Sequence, residues 1–172
     1  MERKELCIIS DSDIPSGSGG INDEGYTYGQ LRHQPIITEI LQRITHPITR
    51  QMAEDCNERN RKDGFTMYKV DGEYCFEGLR VGPKVKIPSK EELLALLEDQ
   101  PINAASIRNI TYTPIREELA RLYGTTVQEA ADIIGNQLDC APHEDISGYI
   151  FMVPNWAHKW FRHNGYVSRM LK

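Results

Sequence analysis

No apolar run in this sequence approaches the roughly 18 residues that a membrane-spanning helix requires. The opening Met1-Glu-Arg-Lys-Glu-Leu6 is charged where a secretory leader would be apolar. The expectation is a soluble chain with no membrane partner and no cleavable signal, whose export would use a route that does not read one. The four cysteines, Cys7, Cys56, Cys75 and Cys140, contain no C-x-x-C pair. That excludes the usual structural zinc ribbon and a disulfide scaffold, and leaves reduced thiols as the simplest reading. Basic excess is also missing: 20 Lys and Arg face 25 Asp and Glu, a net charge of −5, which argues against a passive coat on nucleic acid. The charge is unevenly spread, however. After Asp145 the charged side chains are Lys159, Arg162, Arg169 and Lys172, with no further acidic side chain.

What is present is the composition of a folded globular protein, 40 % hydrophobic and 26 % charged over 172 residues, enough for one good core with room for a small second one. Leu6-Cys-Ile-Ile-Ser10 reads as a first strand, followed by Asp11, Asp13 and a glycine-rich stretch ending at Gly20. The glycines lack the spacing and the Lys-Ser/Thr of a phosphate-binding loop, so a surface loop is the favoured reading over a hydrolase built on Asp11 and Asp13. Apolar positions 36, 37, 40, 41 and 44 predict an amphipathic helix over 35–44, and Pro47 opens a second helix to about Lys62. His33 and His46, at the edges of these helices, are read as structural.

Asp71-Gly72 between alternating apolar runs specifies a type I′ hairpin over 65–76, with a third strand through 79–87 interrupted by Gly82-Pro83. Ser89 and Glu92 form a capping box for a helix to about Glu98, and Pro101 marks a boundary. Thr113-Pro114 then reads as a helix start, with Ile115, Leu119 and Leu122 inward and Gly124 terminating. Thr126 and Glu129 open another helix, with Val127, Ala130, Ala131 and Ile134 inward and Gly135 at its end.

The last segment is the most informative. A short extended stretch ends at His143, Glu144 to Gly148 turns, Tyr149-Ile-Phe-Met-Val153 reads as a strand, Pro154 stops it, and Asn155 caps a helix carrying His158. A neutral imidazole accepts a proton near pH 7, which suits His143 to the part of general base. Asp145 or Glu144 would orient its ring or bind a metal ion. On the helix, His158 and Arg162 are four apart and share a face, so a metal-ligating imidazole would stand beside a phosphate-binding guanidinium. Trp156 and Trp160 fall on the other side as anchors. His163 joins that face only if the helix ends near Arg162, which Asn164-Gly165 favours.

Pro142-His143-Glu144-Asp145, Gly148, Phe151-Met-Val-Pro154, His158 and His163-Asn-Gly165 together resemble the HNH/endonuclease VII superfamily of bacterial toxin nucleases, in the branches named after WHH, LHH or GHH signatures. The resemblance covers about residues 113–172, and its most specific part is the spacing from Pro154 to His158 to His163. The chain departs from the pattern at Cys140-Ala141-Pro142-His143, where paired histidines are usual, at Phe151, where a polar residue is usual, and at Asn164-Gly165-Tyr166, where Thr-Gly-Gly is usual.

The resulting expectation is an α+β chain with an accessory region over 1–100, followed over 101–172 by a helical hairpin and a C-terminal ββα-metal (HNH-like) module. The resemblance implies a metal-dependent endonuclease, DNA favoured, serving as an interbacterial toxin or effector in the cytoplasm of a target cell. It implies a divalent cation (Zn, Ni, Mg or Mn) on His158, His163 and Asp145, catalysis by His143, Glu144 and Arg162, nucleic-acid contacts from Lys159, Arg162 and Arg169, and a cognate immunity protein. The alternative is a non-catalytic nucleic-acid- or protein-binding module of the same fold.

Overall fold

The computed structural model describes residues 4–6 and 24–161 and has a mixed α+β architecture with two three-stranded sheets. Strand β1 (Lys4–Leu6) is the described part of the expected first strand. Its continuation, Asp11, Asp13 and the glycine-rich stretch lie outside the described residues. Helix α1 (Tyr28–Leu31) is a single turn closed by a reciprocal Thr27/Gln30 capping box. Helix α2 (Thr38–Arg43) is shorter than the periodicity predicts. The Asn57 side-chain amide donates to the Ile36 carbonyl and its oxygen accepts from the Ile36 N–H (3.0 and 2.9 Å), holding the backbone before α2 extended. Helix α3 (Pro47–Asn60) starts at its proline, with His46 as cap: the imidazole Nδ1 accepts from Ile48 N–H.

Strands β2 (Tyr68–Val70) and β3 (Glu73–Cys75) form the expected hairpin, with positive φ at both Asp71 (50°) and Gly72 (82°), the signature of a type I′ turn. β1 adds to its outer edge, giving the order β1-β2-β3. After a single 3₁₀ turn, Glu77–Leu79, strand β4 (Val81–Lys86) leaves this sheet altogether. Gly82 at φ +84° and Pro83 lie in an irregular stretch between the paired Val81 and Val85, so the interruption legible in the sequence is a bulge inside a strand.

Helix α4 (Lys90–Leu96) begins at Ser89, whose hydroxyl accepts from Glu92 N–H. Helix α5 (Ala104–Tyr123) is the main departure from expectation: it starts at an Asn103/Ser106 capping box and runs through Thr113-Pro114, which was expected to open it. An interior proline costs about 3 kcal/mol. Continuity adds Ile107 and Thr111, before the proline, to the buried face that Ile115 and Leu119 carry on after it. Leu122 is 36 % exposed, so the inward face ends at Tyr123 instead. Gly124 in the left-handed conformation terminates α5 as expected.

Helix α6 (Val127–Gln137) is capped by Thr126, buries Ala130 and Ile134, exposes Val127 and Ala131, and continues past Gly135. Strands β5 (Cys140–Glu144) and β6 (Tyr149–Pro154) pair antiparallel, and helix α7 (Asn155–Trp160) follows. Pro154, not Asn155, occupies the cap of α7. Asn155 is the first helical residue and fastens α7 to the start of β5, its N–H donating to the Asp139 carbonyl (2.9 Å) and its side chain to the Asp139 carboxylate (2.7 Å).

The second sheet has the order β4-β6-β5, with Val81 opposite Met152 and His143 opposite Phe151. A strand from the first hundred residues therefore completes the sheet of the terminal segment. One continuous core runs from Tyr28 and Leu31 through Phe76, Leu79 and Ile107 to Phe151, Trp160 and Phe161, spanning both sides of Pro101.

Candidate functional site

β5 delivers His143, and β-strand alternation places it on the face opposite Glu144. His143 is 4 % exposed and sits among aromatic rings, with Phe76 at 4.5 Å and Phe151 at 5.8 Å between centroids. Burying an imidazole there requires a polar partner. Asp145 supplies it: its Oδ1 lies 2.8 Å from His143 Nε2. Asp145 itself is 1 % exposed and held from three further directions. Phe76 N–H donates to Oδ1 (2.8 Å), Ser147 N–H donates to Oδ2 (3.0 Å), and the Cys75 thiol lies 3.1 Å from Oδ2. Cys75 is also 2.9 Å from the Tyr68 hydroxyl.

This geometry sets protonation states. Burial alone would raise the Asp145 pKa, but the His143 hydrogen bond and charge, with the Phe76 and Ser147 amides, outweigh it and bring the carboxyl down to about 2. Burial, reinforced by the Asp145 charge, pushes the Cys75 thiol up to about 12, so it remains a protonated donor. With an ionised carboxylate against Nε2, the neutral imidazole carries its proton on Nε2, and Nδ1 is its proton-accepting nitrogen. The Asp145 carboxylate is met by His143, by the Phe76 and Ser147 amides and by the Cys75 thiol, whose single proton is shared with the Tyr68 hydroxyl. Of the two parts open to Asp145 from the sequence, orienting the ring and binding a cation, the contact with His143 supports the first.

α7 brings His158 to the same place. Its ring lies 5.1 Å from that of His143 and 5.7 Å from that of Phe76, all edge to face, and it is half-buried where His143 is enclosed. The helix is anchored by Trp160, 1 % exposed, and by Trp156, whose indole N–H donates to the Pro35 carbonyl (3.0 Å). Glu144 falls on the opposite face of β5 by alternation, and its charge is the second cause, after burial, that raises the pKa of the Tyr112 hydroxyl on α5. Lys159 is exposed on α7. Arg162, His163 and Arg169 lie outside the described residues.

No protein-family model, curated protein or solved structure matches this chain.

Among the described residues, no group of three or more His, Cys, Asp or Glu side chains is placed to hold a metal ion. The described imidazole that fits a first-row divalent cation in ligand type, and is not already held as His143 is by Asp145, is that of His158. Further ligands would come from outside the described residues, where His163 lies.

The sequence reading missed the residues that support the site from the β2–β3 hairpin, namely Tyr68, Cys75 and the Phe76 amide. Nothing in their local pattern distinguishes them from ordinary hairpin residues. A signal for Asp145 did exist. Asp145-Ile-Ser147-Gly148 is an Asx-turn sequence, and here Asp145 accepts from Ser147 N–H, Gly148 N–H donates to the Asp145 carbonyl (3.0 Å), and Gly148 adopts φ +93°. A carboxylate folded into its own turn is a positioned group.

Proposed function

We propose that this chain is a metal-dependent endonuclease of the ββα-metal type, hydrolysing phosphodiester bonds of nucleic acid, DNA favoured. The observation that supports it is the meeting of His143, from a strand, and His158, from the following helix, with His143 oriented by the ionised Asp145. In this reading Nδ1 of His143 takes the proton of the attacking water, and Asp145 stabilises the imidazolium that results. Arg162, Lys159 and Arg169 hold the flanking phosphates. His158 and His163 would hold the divalent cation (Zn, Ni, Mg or Mn), which supplies charge stabilisation at the scissile phosphate when bound. The resemblance in the terminal segment extends the proposal to an interbacterial toxin or effector with a cognate immunity protein.

One observation favours a second reading, a non-catalytic nucleic-acid- or protein-binding module. His143 and Asp145 are more than nine-tenths buried, with Phe151 across the strand from His143. Nicking of supercoiled plasmid and of RNA, with each cation and with EDTA, separates the two. Activity that EDTA abolishes and that falls at least about a hundredfold in a folded His143→Ala protein supports the nuclease. Absence of cleavage with every cation leaves the binding module.

A further inference from the structure

A cavity of about 230 Å³ opens between α3, β4 and the end of α5, and nothing in the proposed nuclease chemistry uses it. Met52, Gly82, Pro83 and Leu122 form its apolar wall, and Arg59, Arg80 and Asp55 its polar one. Gly82 brings β4 close against α3: a Cβ there would lie 2.7 Å from Met52 Sδ. Both arginines line the cavity and are tied to backbone, the Arg59 guanidinium donating to the Arg80 carbonyl and Arg80 Nη1 to the Gly82 carbonyl (2.6 Å).

Both guanidiniums keep their charge uncompensated at short range. Neither lies within 4.0 Å of a carboxylate among the described residues. Arg80 Nε is buried and has no acceptor among the described residues, and a buried donor left unmet costs about 1–3 kcal/mol. The nearby acids are committed elsewhere: Asp55 accepts from the Gln51 side chain (2.7 Å), and Glu77 is paired with Lys84 (2.5 Å). Burial first, and the Arg59 charge second, lower the Arg80 pKa, and the Glu77 charge opposes them only in part.

We infer that this cavity is a binding site for a phosphate group, held by Arg59 and Arg80. Two planar guanidiniums lining one cavity can match the oxygens of a tetrahedral anion, and the volume is several times the ~30 Å³ that a water molecule occupies. With Asp55 on the rim the net charge is +1, which suits an anion that also shares its donors with water. The inference does not depend on the histidine site and stands or falls separately from the nuclease reading.

The test is calorimetric titration of the full chain with inorganic phosphate, in a buffer free of other oxyanions, with two surface variants beside it. Arg59→Gln should weaken binding at least about tenfold, the usual worth of a charge-assisted pair. Leu122→Glu places a negative charge at the rim and should abolish binding while leaving both arginines in place. Competition by a short single-stranded oligonucleotide would identify the phosphate as that of a nucleic-acid backbone. Failure to compete would identify free phosphate or a small phosphorylated ligand. No saturable binding by the folded wild-type chain at millimolar phosphate, or unchanged affinity in either folded variant, overturns the site.

Discussion

Asp145 joins the hairpin to the terminal segment and also determines which nitrogen of His143 accepts a proton. Its depressed pKa makes this testable without any activity. A carboxyl whose folded pKa lies below its unfolded value contributes stability that is complete above the unfolded value, near 3.8, and is lost as pH falls through about 2. The contribution is roughly 2 kcal/mol for a shift of this size. Urea unfolding at about pH 5 and again near pH 2 should show the wild type losing roughly that much more stability than Asp145→Asn, whose amide does not titrate. Parallel losses in the two proteins would assign the acid sensitivity to other carboxylates. His158 carries the remaining weight at this scale. His158→Ala should abolish tight binding of zinc, nickel or manganese in calorimetry at little cost in folding, because the ring is half-buried and the helix is anchored by its tryptophans. Unchanged metal affinity would remove the metal from the reading.

Two elements carry strain that simple substitutions expose. Gly72 and Gly82 both have positive φ, 82° and 84°, but a Cβ at Gly72 meets nothing within 4 Å while one at Gly82 meets Met52 Sδ. Gly72→Ala should therefore cost only the backbone penalty, about 1–2 kcal/mol. Gly82→Ala should cost more, since α3 and β4 must also part. Thermal melts of the two variants measure the difference directly, and equal losses would mean that Met52 yields freely. In α5 the sign reverses. Pro114→Ala restores a donor for the Ile110 carbonyl in a helix the rest of the fold already imposes. The variant should gain about 1–2 kcal/mol after the greater freedom of its unfolded chain is deducted. A loss of stability would show that α5 needs the proline's geometry.

For the whole molecule, the decisive feature is that β4 belongs to the sheet of the last segment. A fragment of residues 101–172 would keep β5 and β6 but lose their third strand, and with it Phe76, Leu79 and Val81 from the shared core. A two-stranded sheet is marginal alone, and α5 would lose the strand β4 that it packs against. Expressed by itself, the fragment should give a poorly dispersed amide NMR spectrum and no cooperative melt. A dispersed spectrum would show that the terminal segment holds its own core.

The sequence by itself determined what short-range chemistry determines. Asp71-Gly72 specifies its hairpin because few other pairs accept two positive φ values. Ser89 and Thr126 mark helix starts because their hydroxyls meet an orphan N–H three residues on. The strand, turn, strand and helix around His143 and His158 follow from the apolar run Tyr149–Pro154, the turn at Gly148 and the stop at Pro154. Tertiary structure decided the rest. Alternation tells which face of β4 is apolar but not which strand it will pair with, so its union with β6 was not legible. Thr113-Pro114 is locally a good helix start, and it was overruled by the apolar face on both sides of it. Asp145 could be seen beside His143 along the chain. That it would be ionised, buried and held by Phe76 and Cys75, some seventy residues earlier, depends on a contact that closes only when the hairpin and the terminal sheet pack together.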